Sequence, residues 1–106
     1  MAVVSIDERH NGSRIDAHVG DTIELTLPET ATTGFGWDVN EHSNSLTVQT
    51  SDLVPPEELR AGAAGTRRIV VRADQPGRAR LSVTLRRAWE PPEKNEGTFD
   101  IDIDVT

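Results

Sequence analysis

Polar and apolar residues alternate along this chain with a period of two, and no stretch carries the 3.6-residue apolar stripe of a helix. Ile23, Leu25 and Leu27 share one face of the run Thr22–Leu27, and Phe35, Trp37 and Val39 share one face of the next. Leu46 and Val48 open a third run. Arg68–Arg72 is a fourth, and its apolar centre, Ile69-Val70-Val71, predicts burial on both faces. The clearest alternation comes last, in 79–86 and 98–105, where Phe99, Ile101, Ile103 and Val105 form an inward row. At the front, Val3–Ile6 and Arg14–Val19 flank Asn11-Gly12, a dipeptide that strongly favours a two-residue hairpin turn. Pro55-Pro56-Glu57-Glu58-Leu59 has room for one helical turn at most. The pattern predicts an all-β fold, an immunoglobulin-like antiparallel β-sandwich of seven or eight strands, forming a single domain over 1–106.

With Thr22–Leu27 lettered as strand B, strand C is 35–40, D 46–50, E 67–73, F 79–86 and G 98–105. Successive strands of such a sandwich reverse direction, so every second connection lies at the same end. The connections 28–34, 55–66 and 87–97 are therefore expected together. The first contains Thr30-Ala31-Thr32-Thr33-Gly34 and the second Gly62-Ala63-Ala64-Gly65. Both have small, uncharged tips that let backbone approach another surface closely. The third reads Arg86-Arg87-Ala88-Trp89-Glu90-Pro91-Pro92. Trp89 has no alternating apolar neighbours there. Two readings of it stand side by side: an exposed binding anchor, or a lid folded over the end of the sandwich. Phe35 and Trp37, alternating with Gly36, are expected to face the core.

Composition narrows the chemistry. The chain has 106 residues and no cysteine, which excludes a disulfide scaffold, a thiolate zinc site, an iron–sulfur centre and a cysteine nucleophile. The net charge of −7 is unevenly spread. Residues 60–87 hold eight arginines against Asp74, between two acidic segments. Arg78 and Arg80 alternate with apolar residues, as do Asp100, Asp102 and Asp104, so facing strands with complementary outer faces explain the basic stretch better than nucleic acid does. Asn11-Gly12-Ser13 matches a glycosylation sequon that the expected turn already explains. The Asp100–Asp104 alternation lacks the glycine of a calcium loop. His10, His18 and His42 have no ligand-like spacing, so no metal and no cofactor are expected. No nucleophile-elbow sequence marks an enzyme. No apolar run is long enough for a membrane helix. The start, Met1–Asp7, does not read as a secretory leader, so a cytoplasmic protein is expected as the sequence stands, and an exported one if a leader has been removed.

In its three loops the chain resembles the chagasin-like inhibitors of papain-family cysteine proteases. That family carries Asn-Pro-Thr-Thr-Gly-aromatic, then Gly-x-Gly-Gly, then Arg-Pro-Trp. This chain has Thr30-Ala31-Thr32-Thr33-Gly34-Phe35, Gly62-Ala63-Ala64-Gly65 and Arg87-Ala88-Trp89, in the same order. The resemblance implies a monomeric, reversible, noncovalent inhibitor whose partner is a papain-like cysteine protease. Thr32, Thr33 and Gly34 would plug the active-site cleft. Gly62 to Gly65 would lie along one wall, and Arg87 and Trp89 would grip the other.

The residue types suit a plug. Thr32 and Thr33 are stiff at χ1 and lose little freedom on binding, and no charge stands between Thr30 and Trp37 to be stranded on desolvation. The departures matter too. Ala31 and Ala88 replace prolines, Thr30 an asparagine and Ala64 a glycine. A compatible proline removes about 0.4–1 kcal/mol of unfolded-state freedom, so each loss weakens binding roughly 2–5-fold if the loop is less preorganised. An inhibitor weaker or differently selective than the full motifs would give is the expectation. The alternative is a generic immunoglobulin-like module that binds a protein or glycan without inhibiting anything.

Overall fold

The computed structural model describes residues 2–30, 34–55, 65–87, 89–91 and 95–106. Two four-stranded sheets face one another. The first has the order β1 (Val3–Asp7), β3 (Thr22–Glu29), β6 (Gly65–Ala73), β5 (Leu46–Val54). The second has the order β2 (Arg14–Ala17), β8 (Gly97–Val105), β7 (Gly77–Arg87), β4 (Phe35–His42). This is the strand order of an immunoglobulin-like sandwich, as the alternation predicts.

The inward rows meet between the sheets. Ile23, Leu25 and Leu27 of β3 and Ile69, Val71 and Ala73 of β6 are buried with Ala79, Leu81 and Val83 of β7 and Phe99, Ile101, Ile103 and Val105 of β8. Val70 is buried as well, on the outer face between Glu24 and Thr50, which bears out the two-sided burial expected for β6. Trp37 and Val39 pack against the core from β4.

On the outer face of β7 and β8, Arg78 lies opposite Asp104 and Arg80 opposite Asp102. Arg78 and Arg14 both reach Asp104, at 3.3 and 3.2 Å. Arg68 pairs with Glu24, Arg72 with Asp74 and Arg86 with Asp38. Apart from Arg72, whose partner Asp74 follows two residues later just past the end of β6, these arginines are laid out as cross-strand partners for acids. Exposed pairs of this kind contribute only about 0–1 kcal/mol each, so they favour register more than stability.

The front of the chain departs from expectation. β1 and β2 do not form a hairpin about Asn11-Gly12. β1 pairs in parallel with β3 in one sheet, and β2 pairs in parallel with β8 in the other, so two edge ladders of an otherwise antiparallel sandwich are parallel. The reason lies in side-chain hydrogen bonding. Asp7 caps a short 3-10 turn at Glu8–His10, accepting from the Arg9 amide. Asn11 then hooks onto β8: its side chain accepts from the Asp100 amide and donates to the Thr98 carbonyl, while the Gly12 amide donates to the Asp100 carbonyl. Gly12 does adopt a positive φ of 79°, but the turn carries the chain across from one sheet to the other. β5 also runs further than expected, to Val54. A register shift between Val48 and Thr50 sets Ser51 opposite Ile69 and Leu53 opposite Arg67, as a bulge does.

Asp21, in the crossing from β2 to β3, is almost wholly buried. It accepts hydrogen bonds from the amides of Ala2 and His18, both at 2.9 Å. These bonds, Ala2's first, hold its carboxyl below the usual carboxylate range. Such a group stabilises the fold fully above its unfolded value of about 4, and the stabilisation is lost as acid protonates the folded carboxyl. Asp21→Asn is therefore expected to lower Tm at neutral pH and to lessen the further fall below about pH 4. Circular-dichroism melts across that range check it; an unchanged neutral Tm would count against the assignment.

Candidate functional site

At one end of the sandwich the inward rows stop being apolar. The row Ile23, Leu25, Leu27 on β3 ends in Glu29. On β6 the row Ala73, Val71, Ile69 ends in Arg67. On β7, Arg87 follows Val83 and Leu85, and it lies opposite Phe35 of β4. These are the strand ends that carry the three loops singled out by their sequence. In the first sheet, Glu29 pairs with Gly65 and Val54 with Thr66. In the second, Phe35 pairs with Arg87 and Leu85 with Gly97. The expectation of a shared end holds.

Glu29 is 4% exposed and accepts three hydrogen bonds. Its Oε1 takes the Trp37 amide at 2.6 Å and Arg67 Nε at 3.1 Å; its Oε2 takes Arg67 Nη2 at 2.7 Å. Trp37 belongs to an edge strand of the opposite sheet, so Glu29 bolts the two sheets together across the base of the first loop. A second bond, from Trp37 Nε1 to the Pro28 carbonyl at 2.9 Å, closes the same base. Arg67 reaches on to β5, where Nη1 lies 3.4 Å from both the carbonyl and the hydroxyl of Ser51.

The third loop is braced against the first. The Glu90 amide donates to the Arg87 carbonyl at 3.1 Å, closing a turn that carries Trp89. Arg86 Nη1 donates to the Glu90 carbonyl and Arg87 Nη1 to its carboxylate. The Arg87 guanidinium lies 4.2 Å from the centre of the Phe35 ring and 6.0 Å from that of Trp89, in the range of cation–π attraction. Trp89 is 73% exposed, yet its ring rests on Gly34, where an added Cβ would come within 2.8 Å of Trp89 Cη2. Trp89 therefore leans on Gly34 and offers most of its ring to solvent, so it is not a lid folded over the end of the sandwich.

Gly65 sits opposite Glu29, and a Cβ there would be 2.6 Å from the Val54 carbonyl oxygen, a backbone atom that cannot swing away. Beside it, Leu53 and Val54 are exposed.

Of the residues the loop motifs nominate, Thr30, Gly34, Phe35, Gly65, Arg87 and Trp89 all lie at this end. Gly34 meets Trp89, and Phe35 meets Arg87. Gly65 joins them indirectly, through Glu29. Ala31, Thr32, Thr33, Gly62, Ala63, Ala64 and Ala88 lie outside the described residues, as does all but Pro55 of the helical turn considered at 55–59. Phe35 corrects an expectation: it has the inward parity of Trp37 but lies past the core, half-buried, carrying Arg87. Sequence reading missed Glu29 and Arg67. The available signal was an acid and an arginine in the next inward position of two apolar rows. What the arrangement offers chemically is a shaped, braced surface for contact.

Fold and site together define an immunoglobulin-like sandwich whose strand ends for three loops lie together at one end, joined by Glu29, Arg67, Arg87 and Trp89. The model of the family described as Chagasin family peptidase inhibitor I42 matches residues 16–103. The chain therefore belongs to the chagasin family, a family of inhibitors and not of enzymes. It is 29% identical over 101 residues to chagasin of Trypanosoma cruzi, covering 91% of this chain and 92% of that protein. Its fold is similar to that of the cysteine protease inhibitor EhICP2 from Entamoeba histolytica, with a TM-score of 0.89 and 16% identity over 100% of this chain and 97% of that one. It is also similar to PbICP-C as solved in complex with falcipain-2, with a TM-score of 0.70 and 16% identity over 98% of this chain and 89% of that one.

Gly34 has φ +80° in addition to its contact with Trp89. Gly34→Ala is expected to destabilise the fold by about 1–3 kcal/mol from the left-handed backbone alone. It should also displace the Trp89 ring. Denaturant melts read the first effect and tryptophan fluorescence the second, with Trp89→Phe as the reference that removes the Trp89 signal; an unshifted spectrum would argue against the contact.

Proposed function

We propose that this protein is a reversible, noncovalent inhibitor of papain-type cysteine proteases, acting as a single domain and a monomer through the three loops at this end. In this reading Thr32, Thr33 and Gly34, with Thr30, Ala31 and Phe35 behind them, occlude the active-site cleft. Gly62, Ala63, Ala64 and Gly65 follow one wall. Arg87, Ala88 and Trp89 hold the other. The observation that carries the reading is Trp89: a large aromatic side chain, mostly exposed, braced by Gly34 and the Arg87 turn rather than free to collapse. An anchor already held in place loses little freedom when it docks. Membership of a peptidase-inhibitor family supports the reading, as does a solved relative bound to falcipain-2. Arg87 contributes from beneath, because Phe35 and Glu90 already engage its guanidinium.

The protein holds no cysteine, so the proposed mechanism needs only the partner's thiol, which is covered and not attacked. Titration of papain with the wild-type protein, followed with a fluorogenic peptide substrate, should show inhibition that competes with an active-site ligand and reverses on dilution. Trp89→Ala is expected to weaken inhibition by about 30-fold or more, the effect of removing a hot-spot residue. A folded wild-type protein that leaves papain active at micromolar excess would overturn the proposal. Undiminished inhibition by Trp89→Ala would remove that residue from the contact.

A further inference from the structure

The Glu29–Arg67 pair asks for a function beyond holding the fold. A buried carboxylate is costly unless its oxygens are well supplied with donors. Replacing a buried ion pair by apolar side chains is often neutral or stabilising, so stability alone is a weak reason for one here. The pair stands where the inward rows end, and its three bonds join separate elements. Glu29 closes β3, which leads into the first loop. Trp37 stands at the start of β4, which leaves that loop. Arg67 stands two residues beyond Gly65, at the exit of the second loop, and reaches Ser51 on the strand that enters it.

We infer that Glu29 and Arg67 are positioning residues for inhibition: the bridge sets the spacing between the strand ends that carry the first and second loops. This rests on the inhibitor reading above. Neither side chain is placed to touch a protease, since Glu29 is almost wholly covered and Arg67 largely so. They act through the backbone. Oε1 receives the Trp37 amide and Arg67 Nε together, so the fork of one arginine and one edge-strand amide converge on a single carboxylate. Gln in place of Glu29 has the same shape, but one of its two polar atoms is a donor that would face a donor. Lys in place of Arg67 keeps the charge and loses the fork that holds both oxygens and reaches Ser51.

Three variants test the assignment, each assayed against papain below its own Tm. Glu29→Gln is expected to raise the inhibition constant by roughly 10–100-fold, mostly through faster dissociation, because a surface that must be ordered on binding gives up affinity. Arg67→Lys, which leaves the acceptor for the Trp37 amide in place, should fall between it and wild type and decides the matter if Glu29→Gln does not fold. Ile103→Val truncates a core side chain on β8 away from this end, and it should lower Tm while keeping the inhibition constant within about twofold of wild type. Amide hydrogen exchange at Trp37 gives a readout that general destabilisation does not select. It should speed up in Glu29→Gln more than at the amides of the central strands. Wild-type inhibition beside an unchanged constant in a folded Glu29→Gln or, if that variant does not fold, in Arg67→Lys would overturn the assignment alone, as would an equal loss in Ile103→Val or undiminished protection at Trp37. A wild-type protein that does not inhibit papain would sink the inhibitor reading, and the assignment with it.

Discussion

Glu29 carries a charge into a place where water barely reaches, and three donors from two other strands must converge on it for the fold to tolerate it there. That demand organises the loop end. The core of a two-sheet sandwich is held by non-directional burial, which leaves the sheets some freedom to slide or splay at their rims. A carboxylate with three directional bonds removes that freedom at one rim. Because Trp37 belongs to one sheet and Glu29 and Arg67 to the other, the constraint acts across the sandwich, where the backbone ladders have no bonds to offer.

Arg87 and Trp89, at the start of the third loop, are held by a different interaction that depends on the first. Phe35 takes its position from β4, whose start is held by the Trp37–Glu29 bond. Arg87 stacks on Phe35, the Arg87 turn carries Trp89, and Trp89 rests on Gly34. Each contact is modest, because a partly exposed cation–π pair is worth about 0.5–1 kcal/mol. Together they give the first and third loops one shared wall. Gly34 and Trp89 thus meet although 55 positions of sequence separate them.

Period-two alternation made the sandwich legible, since Ile23, Leu25 and Leu27 or Phe99, Ile101 and Ile103 have no other economical burial. Strand order alone then placed the three loops at one end. The Asn11-Gly12 turn misled because local turn chemistry does not reveal which strand a segment will pair with. Asn11 bonds to β8, almost ninety residues away. The Glu29–Arg67 bridge was hidden for the same reason: 38 positions separate its members, and each alone reads as an ordinary charge at a strand end. Phe35 kept its predicted parity but not its predicted burial, because the inward row outruns the core.

The two missing loop prolines now look different. Proline preorganises a loop by restricting the unfolded chain, at about 0.4–1 kcal/mol per site. The same end can be reached by bonds that exist only in the folded state. Around the third loop, the Glu90 amide, the two arginines that hold Glu90 and the seat on Gly34 supply such bonds on both sides of Ala88. At the first loop, Glu29 and the Trp37–Pro28 bond do so for the flanks of Ala31. Net hydrogen-bond contributions of about 0.5–1.5 kcal/mol each match or exceed what one proline supplies. Where these bonds form, the described flanks of Ala31 and Ala88 are held in part by side chains outside the motifs, among them Glu29, Arg86 and Glu90.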